Sequence, residues 1–210
     1  MSVTDIGHHT GRVAPNKGRT FPPEVLTEEE VRSLIRACSN RAPTGIRNRA
    51  LITVMYRGGL RLGETLALRP KDVDPDRGTI TVLHGKGDRR RTVGVDPGAM
   101  AIVMRWVEAR KQLGVDGRRP LFCTLQGGAL KPSYVRTMLV RAAGKAGIEK
   151  RVHPHGLRHA HSYELMMEGV PVPVIQQQLG HASLATTDRY LRHVAPKQLV
   201  ETMQRREWSV

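Results

Sequence analysis

Five places in the sequence carry reactive or cationic side chains at turns, most of them beside glycines, rather than on apolar faces. In chain order the segments are Gly58-Gly-Leu-Arg61-Leu-Gly-Glu64, Gly85-Lys86-Gly87, His153-Pro-His155-Gly-Leu-Arg158-His159, Leu179-Gly-His181 and Thr186-Thr-Asp-Arg-Tyr190. Together they offer fixed positive charge, proton-transfer groups and one hydroxyl nucleophile. Arginine forks match phosphate oxygens with paired hydrogen bonds, and phosphoryl transfer depends mainly on positioning and charge stabilisation. The set is therefore suited to attack on a phosphodiester by Tyr190.

Each of these residues also has a simpler structural interpretation. Arg61 could pair with Glu64, three residues further along a helix. Lys86 could be an ordinary solvated side chain at the tip of a turn. Tyr190, taken alone, would more often pack in a core than attack a substrate.

Metal binding is the other chemistry that the histidines suggest. His155 and His159 stand four residues apart in a predicted helix, and further histidines could add ligands. The zinc-protease pattern needs a glutamate that does not accompany them, and Arg158 between the two histidines would repel a cation. No cluster of carboxylates for Mg²⁺ accompanies the set, so the arginines would have to replace the metal. The sequence therefore predicts neither a metal ion nor another cofactor.

The sequence carries a large excess of positive charge. Its 210 residues include 34 Lys and Arg against 19 Asp and Glu, a formal net charge of +15. This excess causes self-repulsion unless a polyanion neutralises it, so nucleic acid is the favoured partner. Basic residues recur from Arg12 to Arg206 instead of gathering on one amphipathic helix. That distribution favours a protein that surrounds double-stranded DNA over one that binds a membrane or a small-molecule substrate.

Several features of the sequence bear on location. No apolar run approaches the roughly 18 residues that a membrane span needs, and residues 1–20 lack the apolar stretch of a secretory signal. Cys38 and Cys123 show neither metal nor redox spacing. We therefore expect a soluble protein of a reducing compartment such as the cytoplasm.

Helical periodicity dominates the elements that must position these residues. Thr27 and Glu30 form a capping-box pair ahead of apolar residues at helical spacing. Further helices are predicted at about residues 46–56, after Gly63, at about 97–113, 132–146 and 156–168, and from 170 onward. Residues 196–208 also have apolar side chains at helical spacing.

Period-two alternation replaces the helical pattern in the middle of the chain. Residues 79–83 and 91–95 alternate apolar and polar side chains on either side of the glycine-rich turn that contains Lys86, which predicts a hairpin. A lone hairpin is marginally stable, so a short strand near residues 71–74 or helix packing should support it. The predicted fold class is mainly α with a small antiparallel β-sheet (α+β).

In this order and at these intervals, the motifs resemble those of the tyrosine recombinase (phage integrase) family, over roughly residues 22–195. The segment around Arg61 is similar to the family's first arginine motif, and Gly85-Lys86-Gly87 to its β-hairpin lysine turn. The segment with His155 and Arg158 resembles the His-x-x-Arg box, and residues 179–193 resemble the stretch that ends in the nucleophile. The resemblance implies an integrase-type catalytic domain.

The resemblance also implies how the phosphate would be attacked. Arg61 and Arg158 would clamp the scissile phosphate, and Glu64 would orient Arg61. Tyr190 would attack the phosphorus, leaving a 3′-phosphotyrosyl link and a free 5′-hydroxyl. Because the link stores the bond energy, a 5′-hydroxyl of another strand could reverse the attack without ATP or a metal ion.

Three further residues would handle protons and hydrogen bonds in the same scheme. Lys86 would protonate the departing 5′ oxygen, and His155 would assist proton movement at the tyrosine. His181 would donate a hydrogen bond to the phosphate. The implied activity is site-specific DNA recombination or integration.

The resemblance implies a particular domain organisation. Residues 1–21 are interpreted as a flexible basic arm or linker and residues 22–210 as the catalytic domain, with the family's N-terminal DNA-grasping domain absent. The chain would then be a naturally short recombinase, similar to the fimbrial phase-variation invertases, or a fragment. Family members exchange a helix after the nucleophile between the subunits of a tetramer on paired DNA sites. Residues 195–210 could form such a helix or pack on their own domain.

Three other functions compete with recombination. The helices on either side of Gly169 could form a helix-turn-helix of a reversible DNA-binding regulator, although this leaves Arg61 and Lys86 unexplained. A type IB topoisomerase would use similar chemistry without exchanging partners. A metal-dependent nuclease is argued against by the lack of clustered carboxylates.

Overall fold

A computed structural model describes residues 25–83 and 90–180, together with Gln204. Within these residues the chain forms helices around a small antiparallel sheet, which confirms the predicted fold class. The predicted arm (residues 1–21), Lys86, His181, Tyr190 and the predicted tail helix lie outside the described residues, Gln204 excepted.

The elements follow one another in an order close to the predicted one. They are α1 (Glu28–Arg36), α2 (Pro43–Arg57), α3 (Leu62–Ala67), a 3₁₀ turn (Pro70–Asp72), β1 (Val73–Asp74), β2 (Thr79–Val82), β3 (Arg91–Gly94), α4 (Pro97–Gln112), α5 (Pro132–Lys145), α6 (Pro154–Met167) and α7 (Val172–Leu179).

Local sequence signals account for where the helices begin. At α1 the Thr27 hydroxyl accepts from the Glu30 backbone N–H at 3.2 Å, and the Glu30 carboxylate accepts from the Thr27 N–H at 2.7 Å, which confirms the predicted capping box. Four helices begin at a proline, namely α2, α4, α5 and α6. Proline has its φ fixed near helical values and needs no hydrogen-bond donor in the first turn. For this reason α2 and α6 begin earlier than residues 46 and 156, the predicted starts.

The sheet has the order β1-β2-β3, with both pairs antiparallel. Its register sets Ile80 opposite Val93, and both side chains are fully buried. The short strand β1 covers the outer edge of β2, as the instability of a lone hairpin predicted.

The core is built mainly from aliphatic side chains around α2. Leu51, Ile52 and Met55 of this helix are fully buried, and α2 packs against α1, α4 and α6. Trp106 of α4 is also fully buried, and its indole N–H donates to the carbonyl of Leu121 at 2.8 Å.

Helix α7 is attached to the rest of the fold differently from the other helices. Its buried residues Ile175 and Leu179 form a small cluster with Met166, separate from the main core. The helix also contacts β3 through Gln178 and, through Leu179, the Gly58-Gly59 break that follows α2. Among the described helices, none is long and apolar enough to cross a membrane.

Candidate active site

The glycine pair after α2 shapes the first wall of the site. Gly59 has φ +63°, a left-handed conformation that favours glycine. A Cβ at this position would lie 2.7 Å from Cδ2 of His161 and 2.8 Å from Cδ2 of Leu179. Only glycine therefore allows α6 and α7 to pack against Gly58-Gly59, the break between α2 and α3.

Arg61 follows the break and stands at the N-terminus of α3. Its Nη1 donates to Oε1 of Glu64 at 2.8 Å, and its backbone N–H donates to Oε2 at 2.9 Å. Its Nη2 donates to the carbonyl of Gly180 at 3.4 Å. The pairing with Glu64 that the sequence suggested is present, and the Arg61 side chain keeps one third of its surface exposed.

Arg158 lies in the second turn of α6 and is only 3% exposed. Its Nη1 donates to the carbonyl of Gly59 at 2.5 Å, and its Nη2 donates to the carbonyl of Leu179 at 2.6 Å. The last carbonyls of a helix lack partners within the helix and attract cations. Arg158 thus ties the break after α2 to the end of α7.

The two predicted arginines meet at the end of α7. They come from separate elements 97 residues apart in the chain, yet they donate to the consecutive carbonyls of Leu179 and Gly180. The residue that follows Gly180 in the sequence is His181. Two guanidinium groups are therefore bonded to the two residues that directly precede His181 in the sequence.

A third arginine belongs to this cluster and was not predicted. Arg91, the first residue of β3, makes a two-bond pair with Glu64, from Nη1 to Oε1 at 2.9 Å and from Nη2 to Oε2 at 2.8 Å. The available signal was strand alternation, which places Arg91 on the same side of β3 as the buried Val93. A charged residue on the inward face of a strand needs a partner.

Among the described residues, the cluster combines three guanidinium groups with the carboxylate of Glu64. Burial would raise the pKa of Glu64, but hydrogen bonds from Arg91 and Arg61 lower it to about 2. Burial, followed by the positive charges of Arg61 and Arg91, lowers the pKa of Arg158 to about 9. Glu64 is therefore ionised and Arg158 remains charged at neutral pH. With the guanidinium groups of Arg61 and Arg91, the cluster carries an excess of positive charge that suits an anion.

His155 lies in the first turn of α6, on the surface. Its ring packs edge-on against that of His159, with centroids 4.1 Å apart. Desolvation by its surroundings, followed by the charges of Arg158, His153 and Arg61, lowers the pKa of His155 below 6.5. The imidazole is therefore neutral at pH 7 and able to accept a proton.

The structure thus brings together three of the six predicted site residues. Arg61 and Arg158 share the end of α7, and His155 lies one helical turn before Arg158. For Lys86 only the flanking strands are described, with Val82 of β2 paired to Arg91 of β3. The His, Cys, Asp and Glu side chains of residues 25–83 and 90–180 form no group of three or more able to hold a metal ion.

Comparison with known proteins gives one family. The model of the phage integrase family matches residues 24–197. The tyrosine recombinase XerC of Halalkalibacterium halodurans is 36% identical over 189 residues, which cover 87% of this chain and 62% of that protein. The tyrosine recombinase XerD of Bifidobacterium longum is 34% identical over 196 residues, covering 89% and 63%. The chain therefore spans less than two thirds of the length of these relatives.

Solved structures give the same result. The crystal structure of XerA recombinase has a TM-score of 0.77 at 31% identity and covers 94% of this chain and 70% of that one. The post-cleavage complex of the XerH site-specific recombinase with a palindromic difH substrate has a TM-score of 0.71 at 30% identity, covering 87% and 53%. Since the family model covers most of the chain and the fold agrees, the protein belongs to the phage integrase family of tyrosine recombinases.

Proposed function

We propose that this chain is the catalytic domain of a site-specific DNA recombinase that breaks and rejoins DNA strands through a 3′-phosphotyrosyl intermediate. The observation that carries the proposal is the convergence of Arg61 and Arg158 on the carbonyls of Gly180 and Leu179. A phosphodiester in this place would find two guanidinium groups whose directions are already fixed. Fixed donors stabilise the charge that develops in the transition state without reorganisation.

The arginines supply the positive charge that many phosphoryl-transfer enzymes take from Mg²⁺. Arg158 has five N–H donors, and carbonyls take one hydrogen from each of its Nη atoms. We propose that the remaining donors bind a phosphate oxygen, and Arg61 is open to solvent over a third of its side chain. We therefore expect the reaction to need neither a metal ion nor ATP.

The nucleophile in this proposal is Tyr190. Its hydroxyl attacks phosphorus and its proton passes to a base, for which the neutral imidazole of His155 is suited. The bond from phosphorus to the 5′ oxygen breaks, and Lys86 gives that oxygen a proton. His181 donates a hydrogen bond to the phosphate. Attack by a 5′-hydroxyl on the phosphotyrosyl bond then frees Tyr190 and joins the strands.

The proposed partner is double-stranded DNA, and two observations support it. The net charge of +15 suits a polyanion, and the XerH relative was solved on its difH DNA substrate. Rejoining strands between two duplexes needs four active sites, so we further propose a tetramer on paired DNA sites. We also propose that the reaction takes place in the cytoplasm.

A covalent-trapping experiment tests the proposal. The chain is incubated in EDTA with a library of nicked duplexes with randomised arms, in which cleavage releases a short strand and prevents religation. We expect a protein–DNA adduct that survives SDS and heat, with one DNA sequence enriched. Tyr190→Phe should abolish the adduct and leave DNA binding unchanged.

Other outcomes would contradict parts of the proposal. Salt-sensitive binding without any adduct would indicate a reversible DNA-binding regulator. An adduct that persists in Tyr190→Phe would show that another residue is the nucleophile. Relaxation of a supercoiled plasmid without exchange between two sites would indicate a topoisomerase.

A further inference from the structure

Arg91 takes no part in the catalytic scheme above, although its guanidinium group lies inside the candidate site. We propose that Arg91 is a positioning residue, which holds Glu64, and through Glu64 the guanidinium group of Arg61, in the orientation that meets the phosphate. The inference rests on the proposed function, because Arg61 needs this orientation only if it binds the scissile phosphate.

The first argument is the way Glu64 is held. Each of its oxygens accepts one hydrogen bond from Arg91 and one from Arg61, Oε1 from the Arg61 guanidinium group and Oε2 from the Arg61 backbone N–H. The carboxylate is 5% exposed and the Arg91 side chain is 11% exposed. The carboxyl plane therefore cannot rotate without breaking bonds to both arginines.

The second argument is that Arg61 and Glu64 alone would make a weak pair. They stand three residues apart, and the Arg61 side chain is 33% exposed. Partly exposed pairs of this kind hold their side chains loosely, because water competes for both partners. The largely covered side chain of Arg91 fixes the acceptor, so that Arg61 has one favoured direction.

The third argument is the contact between Arg91 and Gly180. A Cβ on Gly180 would lie 2.7 Å from both Cδ and Nε of Arg91, so the arginine side chain packs directly against this glycine. The carbonyl of Gly180 is the other acceptor of the Arg61 guanidinium group. Arg91 therefore contacts both residues, Glu64 and Gly180, to which the Arg61 guanidinium is bonded.

The charges around Glu64 come from four elements. Arg61 and Arg91 bond it from the start of α3 and from β3, and Arg158 of α6 acts on it through space. Asp72 of the 3₁₀ turn and Glu64 line one small cavity. Removal of Arg91 takes away the partner that lowers the pKa of Glu64 most, and burial then raises this pKa.

The test is single-turnover cleavage of the recovered suicide substrate at saturating DNA. Arg91→Gln should slow cleavage about 10- to 100-fold, the size of effect that a small misplacement of a catalytic group produces. Arg91→Lys keeps the charge but loses the two-bond fork, so it should fold and show a smaller decrease. Arg77→Gln, which removes an 83% exposed arginine from the β1–β2 turn, is the matched control and should cleave at the wild-type rate.

The pH profile separates positioning from a purely structural role. In the wild type, Glu64 stays ionised far below neutral pH because its pKa is about 2. Without Arg91 the Glu64 carboxyl takes up a proton at higher pH and releases Arg61. In a plot of cleavage rate against pH, the acid limb, where the rate falls with falling pH, should therefore move to higher pH. A mere loss of stability would move this limb only together with acid unfolding, which circular dichroism of the variant over the same pH range would reveal.

A double-mutant cycle gives the second readout. If Arg91 acts through Arg61, adding Arg91→Gln to Arg61→Gln should slow cleavage by much less than Arg91→Gln does in the wild type. If the two substitutions together slow cleavage by the product of their separate factors, this inference fails and the proposed function stands. The same holds if Arg91→Gln cleaves at the wild-type rate and its acid limb does not move. If Arg91→Gln does not fold, Arg91→Lys decides by the same two readouts. A wild-type chain that forms no adduct overturns the proposed function, and this inference with it.

Discussion

The side chain of Gln178 pairs with the backbone of Gly94 as a neighbouring strand would. Its Oε1 accepts from the Gly94 N–H at 3.0 Å, and its Nε2 donates to the Gly94 carbonyl at 2.8 Å. The amide thereby fastens the last turn of α7 to the end of β3. Since the apolar cluster that α7 shares with α6 is small, these two bonds contribute to its attachment to the sheet.

Replacing Gln178 should therefore loosen α7. We expect Gln178→Ala to lower the free energy of unfolding by about 1–2 kcal/mol, the usual net value of two hydrogen bonds. Amide hydrogen exchange in α7 should increase more than exchange in α2, because the loss is local. Gln177→Ala, one residue earlier and exposed, is the control. Equal exchange in the two variants would show that the Gly94 contact does not hold the helix.

Gly59 offers a test of how closely the break after α2 fits α6 and α7. A methyl group there would meet His161 and Leu179 below 3 Å, and the φ of +63° is unfavourable for alanine. We expect Gly59→Ala to destabilise the fold by about 2–4 kcal/mol and to slow cleavage, since the Gly59 carbonyl binds Arg158. Thermal unfolding and adduct formation measure the two effects.

Gly63 is the matched control for that substitution. It lies inside α3, and a Cβ at this position would meet no atom within 4 Å. Gly63→Ala should raise stability by about 1 kcal/mol, because alanine favours the helix. Similar losses in both variants would contradict the steric argument for Gly59.

The arginine motifs could be predicted from the sequence because residue type and local spacing reveal them. A glycine break followed by Arg61, and two histidines near Arg158 at a helix start, are visible without any knowledge of the fold. The capping box and the hairpin are equally local, and they were predicted correctly.

Arg91 and Gln178 could not be found in this way. The partner of Arg91 is 27 residues away in the chain, and that of Gln178 is 84 residues away. Both pairings depend on how β3 packs against α3 and α7, which local patterns do not encode. Inward strand alternation marks Arg91 as unusual but does not name Glu64 as its partner.

Protonation of His161 should make stability depend on pH. Its ring is 4% exposed, and neither nitrogen has a hydrogen-bond partner among the residues that the structure describes. Burial, followed by the charges of Arg57 and Arg158, lowers its pKa from 6.5 to about 3, and Asp96 opposes this only weakly. Below pH 6.5 His161 therefore binds a proton in the unfolded chain, whereas in the folded chain it stays neutral down to about pH 3. Stability from this group is fully present above pH 6.5 and is lost as the pH falls through that window.

His161→Leu should remove this dependence, since leucine is close in volume to histidine and does not titrate. In urea unfolding, the wild type should lose up to about 1.4 kcal/mol more than the variant for each pH unit below 6.5. His155→Gln, at an exposed position of the same helix, should change the slope much less. Parallel pH profiles for wild type and His161→Leu would show that His161 has the same pKa in the folded and unfolded chains, so that its burial does not lower this pKa.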